Sequence, residues 1–177
     1  MARLCPYPMK ARSFLITAGL LLAGVAGLAA APKSAAPDNV TVTFQDSDKY
    51  TDASENQSTD TSPYYLGLLK DCLQTTAAPL LTPGHRLAIT VLDVDLAGDT
   101  RLNPLHQIRV MTAATLPRVH LKFQLLDADG KVLREGDRQL SDLNYQDNLR
   151  LPGADEPLYY DKLLLSTWVR NEFRPKS

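Results

Sequence analysis

Three carboxylates lie at the end of the most strand-like run of the chain and are the sharpest candidates for chemistry. Asp93 and Asp95 are two residues apart, so the alternation of a β-strand projects both side chains to one face, and Asp99 follows the turn at Gly98. Several oxygen ligands at one strand end can begin a site for a hard cation such as calcium. Their spacing matches no known metal signature, however. Acidic residues at such a place are commonly solvated or paired with a basic neighbour.

A second candidate is a band of basic side chains on a predicted β-hairpin. Pairing Asp127 with Lys131 across the turn sets the register and brings the band to one side of the hairpin. The residues of the band are Lys122, Arg134 and Arg138, with His120 beside them. The pairs that this register sets are His120–Arg138 and Gln124–Arg134. The band predicts a surface for an anionic partner, such as lipopolysaccharide, phospholipid head groups, cell-wall polymer or an acidic protein. The alternative is an ordinary solvated face.

The other reactive residue types form no pattern of an active site. The three histidines share no metal-ligand spacing, and Cys72 falls on the apolar arc of a predicted helix, which is typical of a buried thiol. Asp127 to Gly130 resembles the start of a calcium loop, but the glycine comes one position too early. The sequence has no glycine-rich phosphate loop, CxxC pair or Ser/His/Asp order. We therefore predict no cofactor and favour a protein without catalytic activity.

Hydrophobic periodicity predicts the elements that position these residues. The predicted order is β-α-β-β-β-α, an α+β fold with a four-stranded mixed sheet and two helices packed on one face. The predicted strands are residues 40–44, 86–96, 119–125 and 131–140, and the predicted helices are residues 63–78 and 157–173. Because the second strand carries apolar residues on both faces, we expect it to be central and buried on two sides. Residues 98–117 are ambiguous, with a short extended piece at 107–111.

Two segments leave alternatives open. Residues 45–62 are long, polar and acidic, which favours a solvated or disordered loop. The last helix has apolar residues around most of its circumference, so it is either buried on two sides or buried on one and offered to a partner. We expect Asp155 or Glu156 to cap it. Homodimerisation through this helix is a third hypothesis, and the oligomeric state is left open.

The first 29 of the 177 residues have the order of a secretory signal peptide. Three basic residues precede the uncharged apolar run Ser13–Leu28, which is short for a transmembrane anchor, and we expect cleavage after Ala29. Removing the three positive charges takes the formal net charge from −1 to −4, so nothing favours nucleic-acid binding. One cysteine is left, which excludes an internal disulfide. Residues 30–39 are a predicted linker, and 40–175 a single domain.

The order of the motifs resembles the domain-of-unknown-function 3016 family of exported proteobacterial proteins. The stretches that carry the resemblance are residues 42–44, 48–52, 89–98, 108–111, 117–118 and 127–136. The resemblance implies a periplasmic or otherwise exported protein and brings no catalytic residues. The favoured function is a non-catalytic binding or scaffold module in the cell envelope of a Gram-negative bacterium. The alternative is a metal-assisted or carboxylate-based hydrolase using Asp93, Asp95 and Asp99.

Overall fold

The computed structural model describes residues 37–55, 60–102, 107–147 and 156–174. The strands are β1 (Val40–Phe44), β2 (Arg86–Asp95), β3 (Asp99–Leu102), β4 (Gln107–Val110), β5 (Arg118–Leu126) and β6 (Val132–Ser141). The helices are α1 (Pro63–Ala77) and α2 (Tyr159–Phe173). The predicted leader and most of the predicted linker lie outside the described residues. No helix within the described residues is long and apolar enough to cross a membrane.

The predicted four-stranded mixed sheet is confirmed. Its order is β1-β2-β5-β6, with β1 parallel to β2 and the other neighbours antiparallel. Strands β3 and β4 form a separate antiparallel hairpin, of which the sequence indicated only the second strand. The α+β class is therefore correct, and the ambiguous segment 98–117 supplies the additional hairpin.

Both helices cover the same face of the sheet. Ser62 caps α1 by accepting a hydrogen bond from the backbone N–H of Tyr65 at 3.3 Å, and Pro63 occupies the first turn, where its missing N–H costs nothing. The buried core joins apolar residues of α1 and α2 to alternate residues of the strands. They include Leu69, Leu73, Leu87, Ile89, Val91, Leu121, Phe123, Leu165, Trp168 and Phe173. The opposite side of the sheet is called the open face below.

A bulge at Leu92 overturns the prediction that β2 is buried on two sides. The register with β5 shifts between Val91 and Asp93, so the alternation of the strand restarts there. Val94 is consequently fully buried on the helix side, as Val91 is. The apolar residues before the bulge and those after it therefore lie on the same buried face of the sheet, although strict alternation would place them on opposite faces. Asp93 and Asp95 project to the open face.

A second bulge, at Leu133, overturns the predicted register of the β5–β6 hairpin. At the loop the prediction holds, because the N–H of Asp127 donates to the carbonyl of Lys131 at 3.0 Å and Leu126 pairs with Val132. Beyond the bulge the pairing slips by one residue. The pairs that result are Lys122–Asp137, Leu121–Arg138, Leu125–Arg134 and Gln124–Glu135. A slip of one residue turns every side chain of the strand to the other face.

Helix α2 begins later than predicted and is capped differently. Its N-cap is Leu158, a non-glycine residue at φ 57°, and no side chain caps the helix. Glu156 instead pairs with Lys162 at 2.8 Å, and Asp155 lies outside the described residues. The apolar side chains of α2 are buried or half-buried, so within the described part of the chain it presents no large exposed apolar side chain to a second copy.

Part of the acidic segment after β1 is held against the sheet, although most residues of 45–51 are exposed, as predicted. Asp52 forms a parallel β-bridge with Asp95, and Ser54 bridges Thr61. Ala53 between them is only 3% exposed. These contacts add a short extended piece to the sheet beside the end of β2. The expectation of a disordered or solvated segment is therefore wrong for these residues.

Candidate functional site

The three carboxylates predicted as a cation site do not come together. Asp93 accepts hydrogen bonds from the backbone N–H and the hydroxyl of Thr51, at 2.7 and 2.8 Å, and Asp95 pairs with Arg118 at 2.9 Å. Asp99 is exposed at the start of β3. Among the residues that the structure describes, no three His, Cys, Asp or Glu side chains form a group that could hold a metal ion. Asp93 and Asp95 therefore hold neighbouring segments in place.

The predicted basic band is divided between the two faces of the sheet. Lys122 lies on the open face, where its ammonium is 3.9 Å from Asp137, and His120 Nε2 lies 2.7 Å from the same carboxylate. Glu135 accepts a hydrogen bond from Gln124 at 3.1 Å on this face. The open face is thus mixed in charge, because the slip at Leu133 brings carboxylates of β6 beside the basic residues of β5.

Arg134 and Arg138 lie on the helix side and are engaged there. Nε and Nη2 of Arg138 each lie 3.1 Å from a carboxylate oxygen of Glu172, and Arg134 donates to the backbone carbonyl of Glu172 at 2.6 Å. The Arg134 guanidinium also lies 5.0 Å from the ring centroid of Phe173, and that of Arg138 lies 5.3 Å from the ring of Phe123. Such cation–π contacts add to the ion pairs. Both arginines therefore fasten the end of α2 to β6.

A partly buried cluster of charged side chains was not predicted. It consists of Asp52, Arg109 and Asp161, and we call it the Arg109 junction. The Arg109 side chain is 15% exposed, and its Nη1 lies 2.8 Å from Asp52 and 2.8 Å from the carbonyl oxygen of Gly98. It also donates to the carbonyls of Ser54 at 3.3 Å and of Leu96 and Ala97 at 3.4 Å. The planar fork of arginine suits several acceptors at once.

Asp161 brings α2 into this junction. The residue is 2% exposed and accepts a hydrogen bond from the backbone N–H of Ala97 at 3.0 Å. Burial raises the pKa of its carboxyl group to about 6, although the Ala97 bond and the charge of Arg109 oppose the increase. A raised pKa of this kind marks many catalytic acids. Here the carboxylate holds a backbone group, and the cavity described below lies elsewhere.

Glycine is required at the turn beside the junction. Gly98 has φ +83°, and a Cβ there would lie 2.9 Å from Cγ of Arg109 and 3.0 Å from the carbonyl oxygen of Val110. Any other residue would be strained and would also displace Arg109. The sequence carries only weak signals of this junction, because Arg109 lies in the ambiguous segment 98–117 and Asp52 lies in a segment predicted to be solvated.

A groove of about 510 Å³ lies on the open face. Small side chains of β2, Ala88 and Thr90, line it together with longer polar side chains of β5 and β6. The other lining residues are Lys122, Phe123, Gln124, Glu135, Gly136 and Asp137. Its volume is within the usual range of about 300–1,000 Å³ for binding pockets. It offers hydrogen-bond donors and acceptors and charges of both signs.

Fold and site together define an α+β protein whose sheet carries both helices on one face and a polar groove on the other. The family model described as "Protein of unknown function (DUF3016)" matches residues 38–171, and the chain belongs to this family. The resemblance seen in the sequence is thereby confirmed. A search of curated proteins finds no match.

One solved structure similar to this chain is a variant PelC dodecamer from Paraburkholderia phytofirmans. The likeness has 12% sequence identity and a TM-score of 0.37, and covers 80% of this chain and 91% of that one. A TM-score this low supports no inference about the present chain.

The first prediction concerns the fork of Arg109. Arg109→Lys should lower the free energy of unfolding by about 1–3 kcal/mol, because one ammonium cannot satisfy Asp52 and the surrounding carbonyls together. The control is Arg118→Lys, whose side chain is 53% exposed and pairs with Asp95, and which should cost less than about 1 kcal/mol. Chemical denaturation of both variants measures the difference. Equal losses would contradict a special role for the junction.

The second prediction concerns the raised pKa of Asp161. A folded-state pKa of about 6 against an ordinary value of 3.8 means that the folded protein binds the proton more tightly. The resulting stability is fully present below the ordinary value and is lost as pH rises through about 6. Relative to wild type, Asp161→Asn should therefore gain about 3 kcal/mol between pH 3.5 and pH 7.5.

Denaturation curves across that range measure this gain. Glu156→Gln is the matched control, because its pairing with Lys162 lowers the pKa of Glu156 and reverses the sign of the pH dependence. A difference between Asp161→Asn and wild type that does not change with pH would show that Asp161 has no raised pKa.

Proposed function

We propose that this protein is an exported, periplasmic binding module of a Gram-negative cell envelope and that it acts without catalysis. The observation that carries the proposal is that only one face of the sheet is covered by helices. Both helices pack against one face, while the groove on the open face is lined by charged and hydroxyl side chains. Polar groups directed into a concave surface are typical of binding sites.

The mixed charge of the groove favours a polypeptide partner over an anionic polymer. An anionic polymer requires uncompensated positive charge, but Lys122 lies beside Asp137, and Glu135 lines the same groove. Arg134 and Arg138 bind Glu172 on the other side of the sheet. A polypeptide can present both signs of charge together with backbone donors and acceptors, which is the pattern that this surface complements.

Export is the second part of the proposal and is supported by the sequence. The basic residues before Ser13–Leu28 and the small residues that follow are typical of a cleaved leader. The resemblance to the family also implies an exported protein. A non-catalytic module in the periplasm would act by holding or delivering a partner there.

Blocking the groove should remove partner binding. Thr90→Trp places a large side chain among the groove-lining residues, and Thr167→Trp places the same side chain on the exposed surface of α2. We expect in-cell crosslinking followed by mass spectrometry to recover a polypeptide partner with the wild type and with Thr167→Trp, but not with Thr90→Trp. Recovery of the same partner with Thr90→Trp would refute the groove as the site.

Export has a direct test at the N-terminus. Mass spectrometry of the protein from the periplasmic fraction should show a chain beginning at Ala30. Leu21→Arg places a charge inside the apolar run and should leave full-length precursor in the cell, because a signal peptide needs that run uncharged. Ala35→Arg, beyond the expected cleavage point, should be exported normally. Normal export of Leu21→Arg would contradict the proposed leader.

A further inference from the structure

Strand β6 lies at the edge of the sheet and is long. It spans ten residues, pairs with β5 on one side, and has no strand on its other side within the described part of the chain. An edge strand presents backbone N–H and C=O groups that can pair with another extended segment. Its side chains therefore decide which segments are accepted.

The side chains of β6 oppose pairing with a second copy in every register centred on residues 134–138, the middle of the strand. In a two-fold antiparallel pair centred on Gly136, Arg134 would face Arg138 and Glu135 would face Asp137. A register centred on any of the other residues from Arg134 to Arg138 sets that charged residue opposite itself. Like charges directly opposite one another destabilise a sheet. A different polypeptide is therefore the better occupant of this edge.

The same side chains define what such a polypeptide should contain. Glu135 and Asp137 stand two residues apart on the open face, at the β6 side of the groove. Val132 and Leu133, exposed by 41% and 48%, are two of the four large apolar side chains exposed in the described residues. Asp137 also has partners, Lys122 and His120, but its side chain is 51% exposed, and exposed pairs contribute little to stability. On the helix side, Arg134 and Arg138 pair with Glu172, which is only 16% exposed, so a charged residue of the partner is favoured only on the open face.

From this pattern we propose that β6 adds an extended, antiparallel segment of another protein with the order basic-x-basic-x-apolar. The two basic residues face Asp137 and Glu135, and the apolar residue covers Val132 and Leu133. Intervening residues are small and uncharged. The inference rests on the proposed function in one respect, that the partner is a polypeptide, and it names that partner's chemistry. Backbone pairing supplies binding, and the alternating side chains supply specificity.

Synthetic peptides test the proposal on the purified protein. The probe is a fluorescein-labelled seven-residue peptide with lysine at positions two and four, leucine at position six and threonine elsewhere. In the matched peptide, glutamate replaces both lysines. Fluorescence anisotropy should show about tenfold tighter binding of the lysine peptide, a preference that weakens with added salt. Hydrogen exchange should slow in β6 and not in α1.

Variants of the protein test the side chains directly. Glu135→Lys combined with Asp137→Lys should reverse the preference, and Asp71→Lys, a charge reversal on the exposed surface of α1, should leave it unchanged. Asp137 contacts His120, so a milder double variant is needed that removes the charges and keeps the shapes of the side chains. Glu135→Gln combined with Asp137→Asn should abolish the preference. Leu133→Lys should weaken binding of the lysine peptide.

Several results would overturn the proposal. These are equal binding of both peptides, a preference untouched by the double reversal, exchange that slows only outside β6, or a dimer in light scattering whose formation slows hydrogen exchange in β6. The outcome is separable from the proposed function, since no export or cellular partner is needed. Peptide binding without a groove-dependent cellular partner would refute the proposed function alone. A cellular partner that depends on the groove, found without peptide binding, would refute only the proposal that β6 pairs with a segment of another protein.

Discussion

The guanidinium of Arg109 joins segments that secondary structure alone would leave separate. It reaches Asp52 and the carbonyl of Ser54 in the segment after β1, and the carbonyls of residues 96–98 beyond β2. Asp161 brings α2 to the same place through Ala97. The partly buried guanidinium needs acceptors and the carbonyls need donors, so their hydrogen bonds remove a cost that either group would carry without a partner. The position of the β3–β4 hairpin and of the start of α2 depends on this contact.

Hydrophobic periodicity predicted the fold, but it did not predict which face of the sheet each side chain occupies. The spacing of apolar residues predicted the sheet and α1 correctly. The bulges at Leu92 and Leu133 were not predictable, because a bulge depends on how two strands pair and leucine at these positions does not indicate one. Each bulge shifts the register by one residue. Each therefore reversed a conclusion about which face a side chain occupies.

The candidate site was harder to predict for the same reason. Lys122, Arg134 and Arg138 were rightly placed on one hairpin, but the slip separates Lys122 from the two arginines. The Arg109 junction joins residues 52, 109 and 161, which are far apart in the sequence and meet only through tertiary packing. A lone arginine or aspartate carries no local signal of such a contact. The resemblance to the family indicated the fold and carried no site residues.

The distribution of engaged charges decides which surface is available for binding. Arginines on the helix side are held by Glu172 and aromatic rings, so they stabilise the packing of α2. Charged residues on the open face form exposed pairs, such as Lys122 with Asp137 at 3.9 Å, and exposed pairs contribute little to stability. These charged residues can give up their present partners and pair with charged groups of a ligand at a small cost in free energy. A surface whose charges form exposed pairs suits reversible recognition, which supports the proposal that a partner binds to the open face beside β6.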